Sequence, residues 1–453
     1  MTALMFDPYT RARASSYSSS SSSSSSEISN TSTIEYGHES FRTFERKILD
    51  LVYFIPQMDI FTSTAVKVTR MGGGFNYRII GISTFNYKAK VEDEDNEDKE
   101  VKDNENKEVK DKTVDNNETK YILRIPRRER NNNTHLNREV AVLYYLEVHA
   151  SIPVPTTIAF DLDGINGCPI ELPYVLQTHV AGIPLDQALD QMDFGEKKRF
   201  VSKIVDLYVK MDQIYFERSG VLVPASGSRI HRILEVTAFD LGPESEENDR
   251  YRTYPQSTTY DMLLSQFECW KIVAGKKDQC PHVAGVVSGY MDQFAAIATR
   301  MREKGWLRDN KNILFHPDLS PYHIFVVRTE RKSKVDWKIS GIIDWDGALS
   351  VPRVMSNRVP TWLWRWGSEE GYDAREEGGD GNNPVDRDRE ALKHQFETEI
   401  SAALPKFLRH AYKPKYQLLR KLCRFAIWGL RWQEDLDKAK EFVDEWNRVM
   451  TRS

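Results

Sequence analysis

The chain has 453 residues, of which 40% are hydrophobic and 29% are charged, and its formal net charge is −4. This length permits two or three structural units and a large buried core. The balance of charge argues against a protein that coats nucleic acid, because a surface that follows phosphate groups would make the chain basic.

Cysteine spacing and hydropathy indicate a soluble protein in a reducing compartment. The four cysteines are far apart and form no Cys-x-x-Cys pair, so neither a zinc site nor a disulfide framework is indicated. No window approaches the run of roughly 18 apolar residues that spans a bilayer. We expect a cytoplasmic protein without a membrane or nucleic-acid partner. A mitochondrial location is the alternative, since Arg11, Arg13 and the serines after them are typical of a presequence, although Asp7 is not.

The first 39 residues are predicted to be a disordered, serine-rich tail. Most residues between positions 15 and 32 are serine, and this composition cannot bury enough apolar surface to offset the entropy lost on ordering. Ordered structure is predicted from about Ser40, where Phe41, Phe44 and Ile48 recur at helical spacing.

A glycine-rich turn follows this helix. Gly72, Gly73 and Gly74 lie between the predicted strands 65–68 and 78–82. Glycine lets backbone amides approach phosphate oxygens without a side chain in the way. Two interpretations are open on these residues alone, a phosphate-binding turn and an ordinary hairpin turn.

Residues 88–120 are predicted to be a solvated, charged insertion between two strands. The segment contains a near-exact repeat, residues 96–103 and 104–111, with only two valines in sixteen positions. No apolar face can form at either the helix or the strand period. Its carboxylates also lack the glycine and the spacing of a calcium-binding loop. We expect disorder or a transient charged helix.

The chain then changes from strands to helices. A strand over residues 121–126 precedes an amphipathic helix over 136–146, and a further strand leads into residues 177–185. Apolar residues at helical spacing then predict a run of helices. Their predicted bounds are 185–189, 196–220, 259–273 and 283–304.

Two aspartates near the ends of two short strands indicate phosphoryl transfer. Asp318 lies in a polar loop before the strand 324–327, and the strand 337–343 delivers Asp344 to the same end of the small sheet. One carboxylate can accept the proton of an attacking hydroxyl, while the other holds the Mg²⁺ that bridges nucleotide phosphates. The alternative for Asp344 is the cap of a following helix, and Asp346 is a weaker metal candidate.

Residues 316–323 resemble the His-x-Asp-x-x-x-x-Asn pattern of the aminoglycoside phosphotransferase and choline kinase-like family, with Asp344 at the position of its metal aspartate. The Leu-Arg-Ile-Pro sequence at 123–126 is similar to fungal members. The resemblance implies an α+β, protein-kinase-like fold of two lobes. The β-rich, nucleotide-binding N-lobe would span residues 40–178, and the mainly helical C-lobe, with the catalytic loop and the substrate site, residues 179–453.

The resemblance also implies catalytic and metal-binding roles. Asp318 would be the catalytic base, His316 would brace the loop, and Asp344 would ligate Mg²⁺. His323 stands where the family has asparagine, and imidazole suits Mn²⁺ or Zn²⁺ better than Mg²⁺. Three outcomes are open: one metal held by Asp344 suffices, His323 contacts phosphate or Asp318, or catalysis is lost while nucleotide binding survives.

For the nucleotide, the resemblance implies a site made of three parts. The glycine turn would cover the phosphates. Arg124 would neutralise them, held by an ion pair with Glu139. The adenine would lie against the backbone of a hinge segment, Gln177, Thr178, His179 and Val180. The alternatives are a surface arginine on an edge strand and a solvent-exposed glutamate.

The function implied is an ATP-dependent phosphotransferase that acts on a hydroxyl of a small molecule. The family's acceptors range over sugars, amino alcohols and antibiotics, so the substrate and the oligomeric state stay open. Trp362, Trp364 and Trp366 could form a cage for a cationic amine, although packing is the favoured interpretation. The alternative function is a catalytically impaired, nucleotide-binding scaffold or regulatory protein.

Overall fold

The computed structural model describes residues 39–58, 64–72, 77–86, 117–127, 132–164, 167–225, 233–239, 254–275, 281–331, 334–365 and 386–451. Residues 1–38 of the predicted tail, Gly73, Gly74, Trp366 and most of the predicted insertion lie outside these ranges. The chain divides into two compact units. Within the described residues, the sheet unit comprises parts of Ser22–Arg130 and Thr157–His179, and the helical unit comprises parts of Asn131–Thr156 and Val180–Ser453.

The sheet unit is built around five antiparallel strands. Its helix α1 spans Phe41–Phe54 and is followed by a single 3-10 turn, Pro56–Met58. The strands are β1 (Thr64–Arg70), β2 (Tyr77–Asn86), β3 (Asn117–Pro126), β4 (Thr157–Asp161) and β5 (Tyr174–Thr178). Their order in the sheet is β1-β2-β3-β5-β4.

Helix α1 covers one face of this sheet with the apolar stripe that the sequence predicts. Phe44 and Ile48 are at most 1% exposed and belong to one core cluster with Ile80, Leu123 and Ile125 of β2 and β3. Burial of that stripe, rather than intrinsic propensity, is what stabilises a helix of this length.

Strand β3 begins earlier than predicted. It starts at Asn117, so the last four positions assigned to the insertion are part of the strand. They continue the ladder with β2 as far as the pair Asn86↔Asn117. Backbone hydrogen bonds extend the pairing through polar residues that show no apolar alternation, which is why the pattern of side chains did not indicate it.

The helical unit contains most of the helices and two smaller sheets. Its helices are α2 (Asn132–His149), α3 (Leu185–Gln191), α4 (Phe194–Gln213), α5 (Thr259–Ala274), α6 (Pro281–Glu303), α7 (Arg353–Ser356), α8 (Trp362–Arg365), α9 (Arg387–Ala403), α10 (Phe407–Tyr412), α11 (Pro414–Trp428) and α12 (Gln433–Thr451). The predicted α+β class is confirmed.

The strands of the helical unit are short and antiparallel. They are β6 (Ile183–Pro184), β7 (Tyr215–Phe216), β8 (Gly220–Pro224), β9 (Leu234–Thr237), β10 (Asn312–Phe315), β11 (Ile324–Arg331), β12 (Lys334–Ile342) and β13 (Leu349–Pro352). One sheet has the order β7-β10-β13-β8-β9 and the other β12-β11-β6. No helix within the described ranges is long and apolar enough to cross a bilayer.

Helix α4 is shorter than predicted. It begins with a capping box, in which Asp193 and Glu196 each accept a backbone N–H of the other, and it ends at Gln213 rather than near Gly220. Gly220 instead lies in β8, where an added Cβ would come 1.9 Å from the Thr237 carbonyl oxygen. The close approach of two backbones explains this glycine better than a helix end does.

The core of the helical unit takes in two of the predicted cage tryptophans. Trp362 and Trp364 are 2% and 0% exposed and pack with Phe396 and Trp345 in one cluster. Their burial favours the packing interpretation over an aromatic cage.

A buried polar group lies elsewhere in the same unit. The Asn357 side-chain amide donates to Nδ1 of His410 at 3.1 Å, and the Arg420 guanidinium donates to the carbonyl oxygens of His410 and Ala411. Burial lowers the pKa of His410 to about 4. The imidazole is therefore neutral near pH 7, as its role as acceptor requires.

Candidate active site

The hairpin of β11 and β12 holds the two predicted aspartates at one end. The loop that contains Asp318 joins β10 to β11, and Asp344 follows β12 by two residues. The pair Ile324↔Ile342 closes the ladder at this end, and the Ile343 N–H donates to the His323 carbonyl oxygen at 3.0 Å. Strand pairing therefore brings together two residues that are far apart in the sequence.

Asp318, His323 and Asp344 form one cluster. Ligand atoms of the three side chains lie within 4.8 Å of one another. His323 is central: its Nδ1 is 3.6 Å from Oδ2 of Asp318, and its Nε2 is 3.6 Å from Oδ2 of Asp344. The three side chains are between 21% and 29% exposed, so they are open to solvent and to a ligand.

Hydrogen bonding fixes the orientation of the His323 ring. Its Nδ1 lies 2.9 Å from the main-chain carbonyl oxygen of Asp318 and 3.4 Å from Oγ of Ser320. A carbonyl oxygen only accepts, so Nδ1 carries the hydrogen. In the neutral ring the lone pair is then on Nε2, the atom that faces Asp344.

His316 braces the loop through two main-chain contacts. Its Nε2–H donates to the Ile343 carbonyl oxygen at 2.9 Å, and its Nδ1 accepts from the Asp318 N–H at 3.2 Å. The ring is 3% exposed. Burial and the neighbouring His323 lower the pKa of His316 to about 4. Both ring nitrogens are engaged and the ring is neutral, which suits a structural brace better than a proton carrier.

The backbone at Asp344 is unusual. Its φ is 69°, one of two positive values among the described non-glycine residues. Aspartate tolerates this left-handed conformation better than most residues do. Next to it, Trp345 is fully buried, donates from Nε1 to the Ile342 carbonyl oxygen at 2.9 Å and packs edge-on against His316. These contacts fix the turn that aims Asp344.

The donor set fits a divalent cation. Carboxylate oxygens suit Mg²⁺ and Mn²⁺, and an imidazole nitrogen suits Mn²⁺ or Zn²⁺. Two neighbouring ligands at bonds of about 2.1 Å in an octahedron lie about 3.0 Å apart. The 3.6 Å between Nε2 of His323 and Oδ2 of Asp344 is close to that separation, so a small side-chain movement makes the pair a chelate.

The sheet unit contains most of the residues predicted to bind nucleotide. Arg124 lies on β3, on the face opposite the buried Leu123 and Ile125, and its guanidinium carbon is 4.2 Å from the centroid of the Tyr77 ring. Gly72 follows β1 in a bend, and an added Cβ would meet no atom of the described residues within 4 Å. Packing against that part of the chain therefore does not explain the glycine at position 72.

The remaining nucleotide candidates are in β5, in the segment after it and in α2. Gln177 is 4% exposed, Thr178 ends β5, and the His179 N–H donates to the Lys120 carbonyl oxygen at 3.1 Å. Burial lowers the pKa of His179. Glu139 belongs to the helical unit, in α2, and is 1% exposed. Its ion pair with Arg124 stays a prediction.

Sequence reasoning missed the contacts that residues 180–182 make with β11 and β12. Oγ of Ser340 donates to the Ala181 carbonyl oxygen at 2.6 Å. An added Cβ on Gly341 would lie 2.6 Å from Val180, and one on Gly182 would lie 2.0 Å from the Val326 carbonyl oxygen. The sequence does contain a signal for these contacts: Gly182, just after the hinge, and Gly341, in β12, are glycines of the kind that mark a close backbone approach.

Comparisons with known proteins give one extensive sequence match. The model of the phosphotransferase enzyme family (APH) matches residues 100–393. This range contains Arg124, Asp318 and Asp344 but not the glycine turn. No curated protein sequence matches the chain.

Several solved structures resemble the chain weakly. Ethanolamine kinase from Plasmodium vivax has 10% identity and a TM-score of 0.43, with 90% of this chain and 91% of that one covered. APH(2")-IIa in a ternary complex with streptomycin and ATP has 10% identity and a TM-score of 0.40, covering 88% and 95%. An aminoglycoside phosphotransferase from Alicyclobacillus acidocaldarius has 11% identity and a TM-score of 0.29, covering 74% and 86%.

Proposed function

Since the chain belongs to the phosphotransferase enzyme family, we propose that it transfers the γ-phosphate of ATP to a hydroxyl group of a small molecule. The observation that carries the proposal is the cluster of Asp318, His323 and Asp344 at one end of the β11–β12 hairpin. Their chemistry supplies a base and a metal-binding group, the two parts that phosphoryl transfer to an alcohol requires.

Asp318 is the proposed base. Its carboxylate accepts the proton of the acceptor hydroxyl while that oxygen forms a bond to the γ-phosphorus. The bond from phosphorus to the β,γ-bridging oxygen breaks, and ADP leaves with that electron pair. Because the transition state is loose, Asp318 contributes mainly by orienting the hydroxyl and needs little basicity.

Asp344 and His323 are the proposed metal-binding side chains. A divalent ion held there would neutralise charge on the β- and γ-phosphate oxygens. The left-handed backbone at Asp344 and the buried Trp345 direct the Asp344 carboxylate toward His323. His316 positions both aspartates, since it bonds the main chain of Asp318 and of the residue before Asp344.

On the nucleotide side, we propose that the glycine turn, Arg124 and Glu139 act on the phosphates. We propose that the backbone of residues 177–180 receives the adenine. What supports the assignments of Arg124, Glu139 and residues 177–180 is the family match across residues 100–393, which does not reach the glycine turn, together with the burial of Arg124. The acceptor is proposed only as a small hydroxylated molecule.

A second candidate function is a nucleotide-binding scaffold without turnover. The observation that favours it is His323 at the position where the family has asparagine, with Nδ1 committed to the Asp318 main chain. A ligand of lower affinity for Mg²⁺ would weaken catalysis while leaving the nucleotide site unchanged.

Two measurements test the proposal. Thermal unfolding with ATP and either Mg²⁺ or Mn²⁺ should show stabilisation by the nucleotide, since a ligand that binds only the native state raises its stability. A panel of hydroxylated metabolites should then identify an acceptor that consumes ATP in proportion to product. Stabilisation without turnover on any acceptor would favour the scaffold. Absence of both would exclude the two functions together.

A further inference from the structure

We propose that Nε2 of His323 and Oδ2 of Asp344 hold a transition-metal ion such as Mn²⁺, Co²⁺ or Zn²⁺ in the nucleotide-free protein, in preference to Mg²⁺. The inference rests on the proposed function in taking this cluster as the phosphoryl-transfer site. It goes beyond that function by assigning the metal class, the coordinating nitrogen and the order of binding.

The tautomer of His323 makes Nε2 the ring nitrogen that can bind a metal ion. Its Nδ1–H is used by the Asp318 carbonyl oxygen, 2.9 Å away. A metal ion can bind only a nitrogen that has a free lone pair, which leaves Nε2. A hydrogen bond from the other ring nitrogen to a backbone carbonyl is the arrangement that orients metal-binding histidines in proteins. In this chain the catalytic loop itself supplies that carbonyl.

Nε2 of His323 lies close to the Asp344 carboxylate. It lies 3.6 Å from Oδ2 of Asp344, while Oδ2 of Asp318, in the same cluster, lies 3.6 Å from the other ring nitrogen, Nδ1. Ligand atoms on a tetrahedral Zn²⁺ with bonds near 2.05 Å lie about 3.3 Å apart. Both tetrahedral and octahedral ions are therefore within reach of small rotations of partly exposed side chains.

The chemistry of the ligand atoms favours a transition-metal ion over Mg²⁺. The Asp344 carboxylate binds the divalent ion directly, and the Asp318 carboxylate of the same cluster adds a second acidic group near it. Imidazole binds Mn²⁺, Co²⁺ and Zn²⁺ more strongly than it binds Mg²⁺, which prefers oxygen and sheds its water reluctantly. Binding through an imidazole nitrogen therefore depends less on phosphate oxygens for a transition-metal ion than for Mg²⁺.

The competing role for His323 is purely structural. A histidine that only bridges the two aspartates would hold the loop in the same conformation without touching an ion. Replacement by asparagine separates the two roles. The asparagine NH₂ group can still donate a hydrogen bond to the Asp318 carbonyl oxygen, while an amide oxygen replaces Nε2 as the metal-binding atom.

The experiment uses the full chain, freed of metal and nucleotide, and Mn²⁺ as the probe. Titration followed by electron paramagnetic resonance gives the affinity for Mn²⁺, and competition with Mg²⁺ gives the selectivity. Pulsed measurements on the same samples detect ¹⁴N coupling from a coordinated imidazole. His323→Asn is the test variant, and His394→Asn, an exposed histidine on α9, is the matched control.

We expect wild type and the control to bind Mn²⁺ at least roughly tenfold more tightly than Mg²⁺, with ¹⁴N coupling. In His323→Asn the coupling should disappear and the preference should fall to roughly threefold or less. Circular dichroism checks that the variant is folded. Bound Mn²⁺ without ¹⁴N coupling in wild type, or equal selectivity in wild type and His323→Asn, would overturn the proposal.

The outcomes separate this proposal from the proposed function. Nitrogen coupling without phosphoryl transfer to any acceptor would support the metal assignment and count against the enzymatic role. Turnover with Mg²⁺ in a protein that gives no nitrogen coupling would support the enzymatic role and reject the metal assignment.

Discussion

The imidazole of His323 donates from Nδ1 to the main-chain carbonyl oxygen of Asp318 at 2.9 Å. The main-chain N–H of the same aspartate donates to Nδ1 of His316 at 3.2 Å. Both backbone polar groups of Asp318 are thus bonded to histidine rings, one buried and neutral and the other 21% exposed. The loop conformation is fixed from two sides, and the Asp318 carboxylate, which is 29% exposed, is accessible to the proposed acceptor.

Replacing the proposed base should abolish turnover but not nucleotide binding. In Asp318→Asn we expect the turnover number to fall by about 10² to 10⁴, the usual contribution of a positioned acid or base. The dissociation constant for ATP, measured by calorimetry, should stay within about threefold of wild type.

The control for that variant is Asp336→Asn on β12. The Asp336 carboxylate pairs with Lys203 at 3.0 Å and is 44% exposed, so its loss should leave turnover unchanged. An Asp318→Asn protein as active as this control would remove Asp318 from the mechanism.

The left-handed backbone at Asp344 should be visible as a difference in stability between two variants. Glycine adopts a φ of 69° freely, and alanine does not. Both substitutions remove the same carboxylate. We therefore expect Asp344→Gly to have a free energy of unfolding about 1 kcal/mol above that of Asp344→Ala in urea titrations. Equal stabilities, or a more stable alanine variant, would contradict the strained turn.

The substitution Gly341→Ala should overpack the site beside Val180, and a second substitution, Val180→Ala, should relieve the strain. An added Cβ at position 341 would lie 2.6 Å from Cγ1 of Val180, a stiff, branched side chain. Gly341→Ala should lower the free energy of unfolding by about 1–3 kcal/mol. The double variant Val180→Ala with Gly341→Ala should recover most of that loss.

Gly72→Ala is the comparison for Gly341→Ala, because an added Cβ there would meet nothing within 4 Å in the part of the chain that the structure describes. Its stability should stay within about 0.5 kcal/mol of wild type. Additive losses in the Val180 and Gly341 double-mutant cycle would mean that the two side chains do not interact.

The free energy of unfolding should fall as the pH is lowered from 6.5 to 4, because His410 is buried and neutral in the native protein. The pKa of His410 is about 4 in the native protein against an ordinary value of 6.5. Between these values the unfolded chain binds a proton that the native protein does not, so stability decreases as the pH falls from 6.5 and levels off below 4. Through His410 alone, the free energy of unfolding should decrease by roughly 2 kcal/mol from pH 7 to pH 5.

Chemical unfolding at pH 7 and pH 5 measures the effect. His410→Gln should show a shallower loss over that interval than wild type, whatever its absolute stability. The comparison of slopes avoids the cost of the substitution itself. An identical slope in both proteins would show that His410 is not the group responsible.

The main features of the site could be predicted because they depend on short-range patterns. Asp318 and Asp344 each adjoin an apolar strand, and two strands joined by a brief turn pair with each other, so their ends meet. The stripe that includes Phe44 and Ile48 in α1 and the alternation around Arg124 are equally local. Period and polarity were sufficient for these elements.

The features that sequence reasoning missed depend on contacts between distant segments. The end of α4 at Gln213 is set by β7 pairing with β10, about a hundred residues away in the chain. The closeness of Val180 to Gly341 and the tautomer of His323 likewise follow from packing and hydrogen bonding that no periodic pattern encodes. The positive φ of Asp344 is a tertiary effect of the same kind.

The strand order of the sheet β1-β2-β3-β5-β4 has a consequence for biosynthesis. Strand β5 lies between β3 and β4, although α2 is translated between β3 and β4. While the nascent chain emerges from the ribosome, β3 therefore exposes an unpaired edge until Thr178 has been released. A fragment truncated within α2 would retain that open edge, and aggregation rather than an isolated domain is its expected fate.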